Sequence, residues 1–192
     1  MHEGPAKAGP FGFRASRHHA AFADYGWLEG EFDALGVPFT ERGARTDETI
    51  DALRAIWEAD QPVDFAGPFP QFEQMRITPR PDRHVPIWVG GSSAPALRRA
   101  ITRGDGWQGS FTDPAATADL VARLRAERPG ADFTISMRVD WDGLADDPSE
   151  LRRRLAAYAD AGVQHIVTSV RQSDLDSWLR SVEALRGVFA SA

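Results

Sequence analysis

The chain has 192 residues, enough for one domain with a sizeable core. Hydrophobic residues make up 42% and charged residues 26%, as in an ordinary globular protein, and the net charge of −6 without a basic stripe argues against a nucleic-acid partner. The absence of cysteine excludes disulfides, thiolate metal sites and a cysteine nucleophile, and neither a membrane-length apolar run nor a signal-peptide core is visible, so a cytoplasmic protein with no membrane partner is expected.

Residues 1–23 carry proline and glycine without a periodic apolar pattern, which predicts a disordered arm or a segment foreign to the domain. The domain itself is expected over residues 24–192. Gly26 to Phe39 reads as a loop and a short helix rich in aromatics. Glu41, Arg42, Arg45 and Glu48 follow at helical spacing and are expected to form ion pairs on a solvated face. Ile50, Leu53, Ile56 and Trp57 share one helical face, with either Thr46 as cap or a start near Thr40. Gln61 to Arg83, holding five prolines, reads as a long irregular connection, a kind of segment more often functional than idle.

A repeating pattern then begins. Pro86–Gly90 is a short apolar strand. The helix after it carries Leu97, Ala100 and Ile101, with Gly104 at its C′ position. Gly106–Gly109 is a second strand, and Asp113-Pro114 starts a helix with Leu120, Val121 and Leu124. Phe133, Ile135, Met137 and Val139 alternate with polar residues as in a strand. Asp147-Pro148-Ser149-Glu150 repeats the cap-plus-proline signal, with a helix through Leu151, Leu155 and Tyr158 that Gly162 ends. Val163–Val170 is the fourth strand. Ser173 caps a last helix with Leu175, Trp178, Leu179, Val182 and Leu185 turned inward. Four strand–helix units predict an α/β fold with parallel strands, either a doubly wound sheet or part of a (β/α)₈ barrel.

Ile87-Trp-Val-Gly-Gly-Ser-Ser-Ala-Pro-Ala-Leu97 carries the most chemical information. A strand delivers two glycines and two serines to a helix start. Glycine lets backbone approach a ligand, the first amides of a helix lack intrahelical partners, and the dipole favours an anion there. Gly90, Gly91, Ser92 and Ser93 therefore suit a phosphate, and equally suit a plain βα turn with a serine cap. Trp107, in Gly104-Asp-Gly-Trp107, is expected at the C-terminal end of its strand, where it could flank a cofactor ring or simply fill core. Gly90-Gly-Ser-Ser-Ala94 also nearly matches a nucleophile elbow, which would make Ser92 a serine-hydrolase nucleophile. His165, expected as a buried mid-strand structural residue, is poorly placed to serve it. His18-His19 falls in the arm, no metal-ligand spacing occurs, and no metal is expected.

Gly26-Trp-Leu-Glu-Gly-Glu-Phe-Asp-Ala-Leu-Gly-Val-Pro-Phe-Thr-Glu-Arg-Gly-Ala-Arg-Thr-Asp-Glu48, Pro86-Ile-Trp-Val-Gly-Gly-Ser-Ser93, Ala96-Leu-Arg-Arg-Ala100 and Gly104-Asp-Gly-Trp107 together resemble the luciferase-like monooxygenases, in particular their deazaflavin-using branch. The resemblance implies a TIM (β/α)₈ barrel, of which this chain supplies strands five to eight with their helices. Strands one to three and most of four are absent, leaving Pro86–Gly90 and Val163–Val170 as exposed edges. It implies coenzyme F420 (deazaflavin) or FMN as cofactor, with Gly90, Gly91, Ser92 and Ser93 at its phosphate and Trp107 nearby. It also implies oxidoreductase or monooxygenase activity on a small organic substrate, and a homo-oligomer. No catalytic residue is assigned, because the absent half usually supplies it. An inactive remnant, or a bare phosphate-binding module, is the competing expectation.

Overall fold

The computed structural model describes residues 21–23, 26 and 28–190. Most of the arm, His18-His19 and Trp27 lie outside the described residues. The chain divides into two compact units, one of His19–Gly106 and one that includes Trp107–Ala192.

In the first unit, β1 (Ala21–Ala23) pairs in parallel with β4 (Ile87–Gly90), Ala21 opposite Ile87 and Ala23 opposite Val89. The edge expected at Pro86–Gly90 is thus covered. Its partner comes from the end of the predicted arm, whose irregular composition gave no strand signal. Ile87, Trp88 and Val89 are all buried, as an unbroken apolar run requires of a strand covered on both faces. Helix α1 (Glu29–Ala34) and a 3₁₀ turn at Phe39–Glu41 lead into α2 (Arg42–Glu58). Thr46 lies inside α2 and its hydroxyl donates to the Arg42 carbonyl at 2.8 Å, so the earlier start is the right one.

The proline-rich connection is not wholly irregular. It contains an antiparallel hairpin of β2 (Val63–Ala66) and β3 (Gln71–Met75), on which Phe65 and Phe72 stack 5.6 Å apart. Glu48 and Arg45 serve this hairpin rather than a solvated face. Glu48 accepts from the Phe69 amide at 3.0 Å, and the Arg45 guanidinium, paired to Glu41, covers the Phe69 ring. Helix α3 (Ala94–Arg103) packs against β4 and α2 with Ala96, Leu97 and Ala100 buried. Gly104 is its C-cap with a negative φ. It is glycine because a Cβ would lie 2.8 Å from the Ala100 carbonyl.

The second unit places β5 (Gly106–Ser110), β6 (Thr134–Val139) and β7 (His165–Thr168) side by side in that order. β6 and β7 run parallel with Ser136 opposite His165. The outer edge of β7 has no partner strand among the described residues. Asp113 caps α4 (Pro114–Glu127), and Asp147 caps α5 (Pro148–Asp160), as the aspartate–proline pairs predict. Phe133, Ile135, Met137 and Val139 are fully buried with Val121, Leu124, Leu151, Leu155 and Tyr158.

Helix α6 (Leu175–Ala190) departs from expectation twice. Asp174, not Ser173, caps it, its carboxylate accepting from the Ser177 amide at 2.8 Å. Its buried face is Ser181, Leu185 and Val188. Leu175, Trp178 and Leu179 are 69%, 41% and 51% exposed. On that buried face Asp142 takes the Ser181 hydroxyl at 2.8 Å, which ties α6 to the loop after β6.

Candidate cofactor site

β4 ends at Gly90, and Gly91 turns the chain with φ +96°, a left-handed conformation that a side chain would resist. Ser93 is the N-cap of α3, its hydroxyl facing the Ala96 amide at 3.4 Å and its carbonyl taking the Leu97 amide at 3.0 Å. Gly91, Ser92, Ser93, Ala94 and Pro95 are exposed, and the first turn carries no acid. The four residues of the predicted turn are therefore contiguous at an accessible, positively polarised helix start. Pro95 has no amide, so the donors concentrate at the turn itself.

Both ends of this turn are anchored. Asp105 accepts from the Ile87 amide at 2.8 Å, from Arg54 at 2.7 Å and lies 3.2 Å from His84 Nε2, which fixes the start of β4. Burial pushes its carboxyl up, but the Ile87 amide, Arg54 and His84 outweigh this and hold it below the usual aspartate range. On α3, buried Arg99 pairs with Asp47 at 2.6 Å and donates to the Gly43 carbonyl at 2.9 Å, tying the helix to α2. A turn held from both sides is preorganised for a ligand. An accessible helix start, a glycine in a side-chain-hostile conformation and no nearby carboxylate in the first turn together fit a phosphate group.

Trp107 does not sit where the sequence places it. It is the second residue of β5, whose C-terminal end is Ser110, and it is fully buried. A Cβ on Gly109 would fall 2.5 Å from both the Trp107 ring and Met137 Cε, so Trp107 shares the apolar face of β6. The core alternative holds for its position. As the second residue of its strand, Trp107 lies near the N-terminal end rather than the C-terminal one.

The opposite face of the same strands is polar, a feature missed in the sequence. Gln108 and Ser110 lie on it in β5, Ser136 and Arg138 in β6, and His165 in β7. His165 is half-buried rather than buried, and its Nδ1 lies 3.0 Å from Ser136 Oγ. Gln108 Oε1 is buried without a hydrogen-bond partner. The signal was the alternation in Phe133–Val139. It says which residues share a face, but not that the polar face is collected from three strands. The loop that follows β6 is internally bonded. Asp142 accepts from the Leu144 amide at 2.9 Å, Ser181 at 2.8 Å and Gln172 at 2.6 Å, and these bonds hold its carboxyl low.

The model of the family described as luciferase-like monooxygenase matches residues 25–180. The chain belongs to the luciferase-like monooxygenases. A protein of Mycobacterium tuberculosis without assigned function is 34% identical over 145 residues, covering 76% of this chain and 48% of that protein. The FMNH2-dependent dimethylsulfone monooxygenase of Pseudomonas putida is 32% identical over 140 residues, covering 69% of this chain and 38% of the enzyme. The chain thus spans about half, or less, of the curated relatives it matches. Among solved structures, an F420-dependent secondary alcohol dehydrogenase superposes with a TM-score of 0.60 at 16% identity, covering 76% of this chain and 62% of that one. The coenzyme F420-dependent tetrahydromethanopterin reductase of Methanopyrus kandleri gives 0.59 at 11% identity, covering 85% and 70%. These place the α/β fold of this family member with partial (β/α) barrels.

The hydrolase reading does not survive. Ser92 is not among the described non-glycine residues of positive φ, which are Gln74 and Phe111, so the strained elbow is not formed. His165 opens a strand and faces a serine. Among the described residues no group of three or more histidines or carboxylates could hold a metal, and no helix is long and apolar enough to cross a membrane.

Proposed function

We propose that this chain is the cofactor-phosphate-binding part of a flavin- or deazaflavin-dependent oxidoreductase acting on a small organic substrate. The observation that carries the reading is the anchored turn at Gly90–Ser93, with its left-handed Gly91 and accessible helix start. Gly90 and Gly91 admit the phosphate close to the backbone, the Ser92 hydroxyl and the turn amides bind it, and Ser93 shapes the helix start beneath it. When bound, the ring of FMN or coenzyme F420 supplies hydride transfer or oxygen activation. Trp107 acts from inside the core, keeping β5 in place rather than touching the ring.

Both cofactors are represented among the similar proteins, FMNH2 by a relative in sequence and F420 by two proteins alike in fold. Fluorescence titration with each separates them, and no binding of either would favour the inactive-remnant reading. We also propose self-association through the exposed stripe of α6. A cytoplasmic location completes the reading.

A further inference from the structure

We infer that Arg138, laid against Phe111 where β5, β6 and β7 end, binds a carboxylate of the substrate. The proposal rests on the oxidoreductase reading and names the substrate class it leaves open.

Three chain-distant residues meet at this point. Phe111 directly follows β5, and its amide donates to the Arg138 carbonyl at 2.9 Å. The Arg138 guanidinium lies 5.4 Å from the centre of the Phe111 ring. Its Nη2 lies 3.3 Å from Ser169 Oγ, just beyond β7. All the partners described for Arg138 are neutral. The carboxylates that follow it are committed elsewhere, Asp140 to Arg171 and Asp142 to Leu144, Ser181 and Gln172. Arg138 is exposed and has no carboxylate partner among the described residues, so its guanidinium is open to an incoming anion.

Phe111 adds an independent sign. It has φ +55°, a costly backbone for a bulky residue, and yet its ring is 61% exposed. Such a residue gains little for folding from its side chain, and strain of this kind gathers where a ligand is held. A planar guanidinium fork matches a planar carboxylate with two parallel hydrogen bonds. The ring beside it offers a flat apolar wall to the substrate's body. The expected substrate is therefore a small organic acid with an unsaturated or aromatic part next to its carboxylate.

The probes are benzoate and its uncharged counterpart benzamide, titrated by calorimetry into the full chain with FMN present. Benzoate should bind more tightly than benzamide. Arg138→Gln should weaken benzoate roughly tenfold or more and leave benzamide unchanged, with Arg138→Lys between. Equal benzoate affinity in wild type and Arg138→Gln, or benzoate no tighter than benzamide in the wild type, overturns the assignment. If Arg138→Gln does not fold by circular dichroism, the wild-type comparison of the two probes decides. FMN and riboflavin are titrated in parallel. An Arg138→Gln loss confined to FMN would make the anion the cofactor's phosphate and overturn the substrate assignment. FMN failing to bind while the benzoate preference persists would sink the cofactor reading and leave this one standing.

Discussion

A guanidinium held away from water needs a counter-charge, and for Arg99 it is Asp47 on the neighbouring helix. Removing one member of a buried pair leaves the other charge desolvated. Asp47 is partly exposed, which softens the cost, so Asp47→Ala should destabilise by about 2 kcal/mol, read as a lower urea midpoint with an unchanged slope. Titration behaviour follows from Asp105 and Asp142. Both are depressed in the folded state, so the unfolded chain takes up protons first. Their stabilisation is present above the ordinary aspartate value of 3.8 and is lost as pH falls through their lower folded values. Urea midpoints should therefore hold steady down to about pH 5 and fall below pH 4, and Asp142→Asn should lower stability at pH 7 while flattening that acid limb.

Elements were legible where a local signal fixes them. Asp113-Pro114 and Asp147-Pro148 announce helix starts because cap and proline act on adjacent amides, and both aspartates cap as expected. The run Ile87-Trp-Val likewise reads directly as a strand, and the Gly90–Ser93 turn with it. The β2–β3 hairpin was hidden because prolines crowd the flanks and turn of two short strands, and the Phe65–Phe72 stack forms only once those strands pair. The facing of α6 was unreadable for a related reason. Leu175, Trp178 and Leu179 form as good an apolar stripe as the true buried face, and the bond that joins Ser181 to Asp142, 39 residues away, leaves no local trace. Gly143 belongs to the same contact, since a Cβ there would lie 2.3 Å from the Ser181 carbonyl. Gly143→Ala should cost roughly 2–3 kcal/mol by forcing the loop off α6, whereas loss of a helix cap in Asp113→Ala should cost about 1 kcal/mol. Thermal melts of the two variants test that order.

At the scale of the molecule, the chain carries consecutive strand–helix units of a luciferase-like protein and spans about half of its relatives' length. The side of β7 without a partner strand among the described residues and the stripe Leu175, Trp178 and Leu179 are surfaces a monomer gains nothing by exposing. Size-exclusion chromatography with light scattering should show a species larger than 21.1 kDa, and Trp178→Glu should shift it toward the monomer. The central claim is the phosphate grip of Gly90–Ser93, and comparing FMN with riboflavin tests it most directly, because the two differ only in that group. Fluorescence titration should give at least tenfold tighter binding of FMN, and Gly91→Val, which fills the turn and cannot adopt its backbone, should erase the difference while riboflavin is unaffected. Equal affinity for the two flavins in the wild-type chain would contradict the account.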